Sequence, residues 1–108
     1  MKLLWTHRAR RDLIAIGRYI ARDSPAAARQ WVEQLRQRMG KAAETPLAGR
    51  VVPELGQKEI REVFLRNYRI VYRVQQEAVV ILTVFEGHRL LRIEALSDSP
   101  PSEGDEPD

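Results

Sequence analysis

Arg69 and Arg73 stand four residues apart in the alternating segment Tyr68-Arg69-Ile70-Val71-Tyr72-Arg73-Val74. On an extended strand that spacing puts them on one face, about 13 Å apart. The guanidinium fork is permanently charged and matches phosphate or carboxylate geometry. Arg61 can join the pair from a neighbouring strand, depending on register. An anion-binding sheet face is therefore one reading. The other is a solvated face whose arginines pair with Glu62 and Glu86.

Other reactive groupings are scarce. The chain has no cysteine, which removes disulfides, a thiolate nucleophile and thiolate metal sites. Its two histidines, His7 and His88, are far apart in sequence, so no histidine-rich metal site is expected. Ser24 reads as a helix cap, and Ser97, Ser99 and Ser102 lie in a polar tail, which leaves no serine triad. There is no glycine-rich phosphate loop of the G-x-x-x-x-G-K-[ST] type. Glu54, Glu59, Glu62 and Glu86 are available acids, but nothing in their spacing singles out a hydrolytic pair. No cofactor and no metal are expected.

Charge is distributed unevenly. Residues 97–108 carry five acids (Asp98, Glu103, Asp105, Glu106, Asp108) and no Lys or Arg. With those five taken from the total of 15 acids, residues 1–96 hold 18 basic and 10 acidic side chains, a net +8 against +3 for the whole chain. Such a body suits an anionic partner, nucleic acid or an acidic protein segment. The helix arginines Arg8, Arg11, Arg18, Arg29, Arg36 and Arg38 read as solvated faces. No apolar run approaches a membrane span and no secretory leader is legible, so a cytoplasmic protein is expected.

The elements that must position these residues follow from periodicity. Lys2–Thr6 is a short extended segment, and Thr6 can cap the helix that follows. Ala9, Leu13, Ile16, Gly17 and Ile20 recur at spacings of three and four, which define one helix face. Asp23-Ser24-Pro25 stops that helix and starts a second, whose apolar stripe is Ala28, Trp31, Val32, Leu35, Met39 and Ala42. From Thr45 to Lys58 the chain reads as irregular, punctuated by Pro46, Gly49, Pro53 and Gly56. Ile60–Leu65 and Tyr68–Val74 are strand-like, Ala78–Phe85 is a nearly continuous apolar strand, and Leu90–Leu96 is a last short element. The order β-α-α-β-β-β predicts an α+β domain over residues 1–96, an N-terminal strand and a two-helix hairpin on a curved antiparallel sheet. Residues 97–108 are too polar and proline-rich to fold alone and are expected to form an acidic disordered tail.

Taken together, several stretches resemble the ParE/RelE toxin superfamily. They are Pro46-Leu47-x-Gly49-Arg50-Val51-Val52-Pro53-Glu54-Leu55, Ile60-Arg61-Glu62, the Tyr68–Val74 segment, and Val80-Ile81-Leu82-x-Val84-x-x-Gly87-His88-Arg89. Trp5–Ile20 reads W-T-x-x-A-x-x-D-L-x-x-I-x-x-Y-I, similar to the first strand and helix of that superfamily. The resemblance spans residues 2–92 and implies the toxin of a type II toxin–antitoxin pair, a growth regulator or maintenance module for a plasmid or chromosome.

Two activities live on this fold, and the fold does not choose between them. RelE-like members cleave messenger RNA on the ribosome with basic residues of the sheet face and a C-terminal tyrosine or histidine. Carried across, that site implies Arg61, Arg69, Arg73, His88 and Arg89. Val63 occupies an alternate position on the Arg61 strand, the tyrosine position falls near Ile93, and no Tyr or His follows His88. ParE-like members poison DNA gyrase without a nuclease centre, and the Gly87-His88-Arg89 ending resembles them more closely. The expectation is a non-enzymatic gyrase inhibitor, closer to ParE, that meets its target through Arg61, Arg69, Arg73 and Arg89. A cognate antitoxin is expected to form a hetero-oligomer with it, covering Leu13, Ile16, Ile20, Trp31 and Leu35. The alternatives are a ribosome-dependent mRNA endonuclease and a non-toxic basic module that binds nucleic acid.

Overall fold

Thr6 decides how the chain enters its first helix. In the computed structural model, which describes residues 1–91 and Leu96, its hydroxyl accepts from the Ala9 amide and caps α1 (His7–Ala21). The same hydroxyl lies 3.0 Å from the Ile81 and Leu82 carbonyl oxygens, and the Thr6 amide donates to Ile81. One buried threonine thus ends β1 (Lys2–Trp5), starts α1 and fastens both to β5 (Ala78–Glu86). Ser24 caps α2 (Pro25–Glu44) in the same way through the Ala27 amide, with Pro25 at the first helical position, where no intrahelical N–H bond is lost.

The helices form the expected hairpin, closely packed where Gly17 meets Val32: a Cβ at Gly17 would come within 3.1 Å of the valine methyl. A 3-10 turn (Pro46–Ala48) and a two-residue strand β2 (Arg50–Val51) follow, inside the stretch read as irregular. β3 (Ile60–Leu65) and β4 (Tyr68–Val74) are joined by the two-residue turn Arg66-Asn67. The sheet order is β1-β5-β4-β3-β2. β2 to β5 run antiparallel, while β1 pairs parallel with β5 from Lys2↔Ala78 to Trp5↔Ile81, so the five-stranded sheet is mixed. The α+β fold is the one expected from periodicity, with these two strand pairings added. The last short element at Leu90–Leu96, the position near Ile93 and the acidic tail at 97–108 lie outside the described residues, Leu90, Leu91 and Leu96 excepted. No described helix is long and apolar enough to cross a membrane.

Two apolar layers sandwich the sheet. Trp5, Leu13, Leu35, Met39, Ile70, Tyr72, Val79 and Ile81 fill the space beneath the helices. Val52, Ile60, Val71, Val80 and Leu82 pack on the opposite face, joined by Leu55, Phe85, Leu91 and Leu96. β5 is therefore buried on both faces, as its unbroken apolar composition requires. This packing corrects part of the expected antitoxin surface. Leu13 and Leu35 are 1% and 0% exposed, because the apolar stripes on α1 and α2 face the protein's own sheet. Ile16, Ile20 and Trp31 are half-buried.

β1 pairs with β5 only as far as Ile81, so the outer edge of β5 beyond that point needs other partners. Thr6 takes the Leu82 carbonyl, and the Asp12 carboxylate accepts from the Val84 amide (3.0 Å) and the Thr83 hydroxyl. Burial pushes the Asp12 pKa up, against those two hydrogen bonds and the nearby charges of Arg8 and Arg11. Asp12→Ala leaves a strand amide and a hydroxyl without their partner, and we expect a loss of about 1–3 kcal/mol. Urea unfolding checks this: the midpoint should fall with an unchanged slope, and Asp12→Asn should recover most of it.

Candidate functional site

The β3–β4 register settles which arginines share a face. Glu62 pairs with Val71 and Phe64 with Arg69, on the side away from the helices, while Arg61 pairs with Tyr72 on the helix side. Arg61 therefore does not join Arg69 and Arg73. Its guanidinium instead donates to the carbonyl oxygens of Lys58 (3.0 Å), Leu47 (3.2 Å) and Gly49 (2.9 Å), tying the 3-10 turn to the start of β3.

Arg69 is 5% exposed and fully engaged by carboxylates. Its Nε donates to Glu62 Oε1 at 2.7 Å, and Nη1 and Nη2 grip the two oxygens of Glu54 at 2.9 and 3.0 Å. Glu62, 1% exposed, is held from its other side by Arg50 of β2. Aromatic rings complete the cluster, Phe85 with Arg69 stacked 5.1 Å from its centroid and Phe64 with Arg50 at 5.3 Å. Two acids and two arginines thus form one network, in which the buried Glu62–Arg69 pair is flanked by the more exposed Arg50 and Glu54.

Arg69 and a backbone hydrogen bond from Leu91 hold the Glu54 carboxyl down at a pKa of about 2, while Glu54 and Glu62 raise that of Arg69. A carboxylate whose pKa is depressed on folding adds stability above its unfolded value, near 4.5, and loses it as pH falls toward about 2. Glu54→Gln should therefore flatten the acid limb of the stability curve across pH 4.5 to 2. Urea midpoints measured at several pH values in and above that window test this, and a wild-type slope in the variant would refute it.

The remaining site residues are dispersed. Arg73 is half-buried, and its Nη2 donates to the Leu96 carbonyl at 2.9 Å. Leu91 and Leu96 also pack on the apolar layer of this face, Leu91 beside the Glu54 partner of Arg69 and Leu96 beside Arg73. His88 is exposed, with Nε2 3.5 Å from a Glu86 oxygen. Arg89 is exposed and borders two hollows beside Asp12, one shared with Arg8, Thr83 and Phe85, the other with Tyr19, Tyr68 and Glu86. Val63 faces the helix-side core. Among the described residues no group of three or more His, Asp or Glu side chains could hold a metal ion. Neither Glu54 as a partner of Arg69 nor Arg50 as the second partner of Glu62 was legible in the sequence. The signal for Glu62 was present, since a two-residue turn at Arg66-Asn67 fixes the register that brings it beside Arg69.

Residues 3–91 match the family described as ParE toxin of type II toxin-antitoxin system, parDE. The chain belongs to the ParE toxin family. The candidate toxin Y4kP of Sinorhizobium fredii (strain NBRC 101917 / NGR234) is 38% identical over 91 residues, which is 82% of this ParE-family chain and 90% of Y4kP. A solved structure of a chromosomal ParDE toxin–antitoxin system from P. aeruginosa contains a chain that superposes with a TM-score of 0.67 at 24% identity, covering 80% of this chain and 95% of that one. At that identity the superposition establishes a shared fold. The helix hairpin and the strand order around the Arg50–Glu62–Arg69–Glu54 network are thus those of a ParE-family scaffold.

Proposed function

We propose that this ParE-family chain is a cytoplasmic toxin that acts by docking on DNA gyrase, without cutting RNA, and that a cognate antitoxin neutralises it as a hetero-oligomer. The observation that carries this reading is the saturation of Arg69. A ribonuclease needs its sheet-face arginine free to receive the charge that builds on the phosphate. Here Nε and both Nη atoms of Arg69 are committed to Glu54 and Glu62, Arg73 is committed to a main-chain carbonyl, and Arg61 faces the other way. Of the four arginines expected to meet a target, Arg89 alone is exposed, and we assign it the contact. For the antitoxin, half-buried Ile16, Ile20 and Trp31 are the accessible part of the expected surface. An acidic amphipathic segment suits these helices, whose outward faces are rich in arginine.

Inducible expression in cells, followed by readouts of DNA damage and protein synthesis, tests the reading. The expected result is an SOS response and gyrase-dependent DNA cleavage complexes while translation initially continues, both relieved by co-expression of the antitoxin. Immediate arrest of translation with cut messages would overturn gyrase in favour of the ribosome. An Arg89→Glu variant that folds normally should lose most of its toxicity.

A further inference from the structure

α1 carries a second basic surface, distinct from the sheet face. Arg11, Arg18 and Arg22 recur at spacings of seven and four, which places them in one row about 16 Å long on the helix surface. They border a single shallow hollow together with Ile14, Ala15 and Tyr19. All three arginines are exposed, and among the described residues none of their guanidiniums forms a hydrogen bond or an ion pair. The acid next to the row, Asp12, is turned toward β5, where it accepts from Thr83 and Val84. Asp23 lies just beyond Arg22, in the turn between the helices. Exposed arginines in line on a rigid helix, with the Asp12 carboxylate near Arg11 alone, contrast with the buried Arg69 of the sheet, whose guanidinium is held by Glu54 and Glu62.

We propose that this row binds the phosphate backbone of duplex DNA without regard to sequence. Phosphates recur about every 3.4 Å of axis on each strand, so a row of this length meets several of them without a precise register. The arginine fork matches each phosphate, and the net +8 of residues 1–96 steers the approach. An acidic protein segment fits the row itself less well than the apolar positions Ile16, Ile20 and Trp31 of the hairpin, where the antitoxin is proposed to dock. A stable protein interface needs a packed apolar centre, whereas Tyr19 is the one large apolar side chain of the hollow that is strongly exposed, at 67%. The inference stands apart from the gyrase reading, because it concerns DNA alone.

The test is fluorescence anisotropy of the full chain with a labelled duplex of about 20 base pairs of arbitrary sequence, between about 50 and 200 mM salt. Wild type should bind, with affinity falling steeply as salt rises. Arg11→Gln/Arg18→Gln/Arg22→Gln, with unchanged circular dichroism, should bind at least tenfold more weakly at the lowest salt. Its log–log salt slope should be shallower by about 2–3, since each phosphate neutralised by an arginine accounts for roughly 0.9 of that slope. Arg18→Glu alone should shift both quantities in the same direction. Arg29→Gln/Lys41→Gln on α2 removes two exposed charges that do not line the hollow and should change the slope by less than about 1. Absence of wild-type binding at the lowest salt, an unchanged slope in the triple variant, or capture by a polyglutamate peptide but not by the duplex would each overturn the proposal. Measuring binding without gyrase keeps its failure separate from that of the toxin mechanism.

Discussion

Arg69→Ala should cost about 3 kcal/mol and lower the thermal midpoint by roughly 10–20 °C. The loss comes from what the arginine leaves behind. Glu62 is 1% exposed and cannot recover a hydration shell, and its other partner, Arg50, is 59% exposed and approaches from a two-residue edge strand. Glu54, with a third of its side chain exposed, can rehydrate, so its share of the loss is the smaller one. Against a total stability of about 5–15 kcal/mol, that is enough to deplete the folded protein in cells. Toxicity would then fall for a reason unrelated to chemistry at a phosphate. The paired variant Glu62→Leu/Arg69→Met separates the two causes. It removes both buried charges and keeps their volume, an exchange that is often close to neutral or stabilising. The double variant is expected within about 1 kcal/mol of wild type, with toxicity retained. A stable double variant without toxicity would return Arg69 to a direct role at the target. An Arg69→Ala protein as stable as wild type would show that the network contributes little to folding.

The same residues show what a sequence alone discloses. The alternation from Tyr68 to Val74 put Tyr68, Ile70, Tyr72 and Val74 on one face and Arg69, Val71 and Arg73 on the other, and the structure divides them in that way. Arg61 was ambiguous because a shift of one residue moves every side chain to the opposite face. Counting outward from the Arg66-Asn67 turn resolves it, pairing Leu65 with Tyr68 and Arg61 with Tyr72. Other features had no local signature. Glu54 reaches Arg69 from a loop that turns at Gly56 with φ of 66°, and neither periodicity nor charge spacing predicts where such a loop folds. Nothing in the helix periodicity marks Asp12, whose role depends on the parallel β1–β5 pairing that stops at Ile81 and exposes the edge of β5. Leu13 and Leu35 were placed on the correct stripes, but an apolar stripe does not say whether a sheet or a partner covers it. That is how core residues came to be expected in an interface.

Gly49→Ala should be the next most damaging change, with a loss of about 3 kcal/mol. Gly49 has φ of −69° and ψ of 153°, an extended conformation open to any residue, so backbone freedom is not the reason for glycine there. Space is. A Cβ at this position would lie 2.2 Å from the Tyr72 hydroxyl and 2.9 Å from the Glu62 carbonyl oxygen. Tyr72 is 0% exposed, and its hydroxyl donates to the Pro46 carbonyl at 2.6 Å, so the ring cannot withdraw without breaking that bond and disturbing the core. Nor can the Glu62 backbone yield freely, because β2 pairs Arg50 with Glu62 at that point. The strain would therefore pass into the Arg50–Glu62–Arg69 network, although the substitution touches no charge. Tyr72→Phe relieves the shorter contact and forfeits the Pro46 hydrogen bond, a loss of about 1 kcal/mol taken alone. In the Gly49→Ala background the same change should be stabilising, and the sign reversal in a double-mutant cycle measured by urea unfolding is the signature of the clash. Full rescue is not expected, since the 2.9 Å approach to the Glu62 carbonyl persists. Additive losses in the cycle would mean that β2 shifts outward to admit the methyl group, and with it the hold of Arg50 on Glu62.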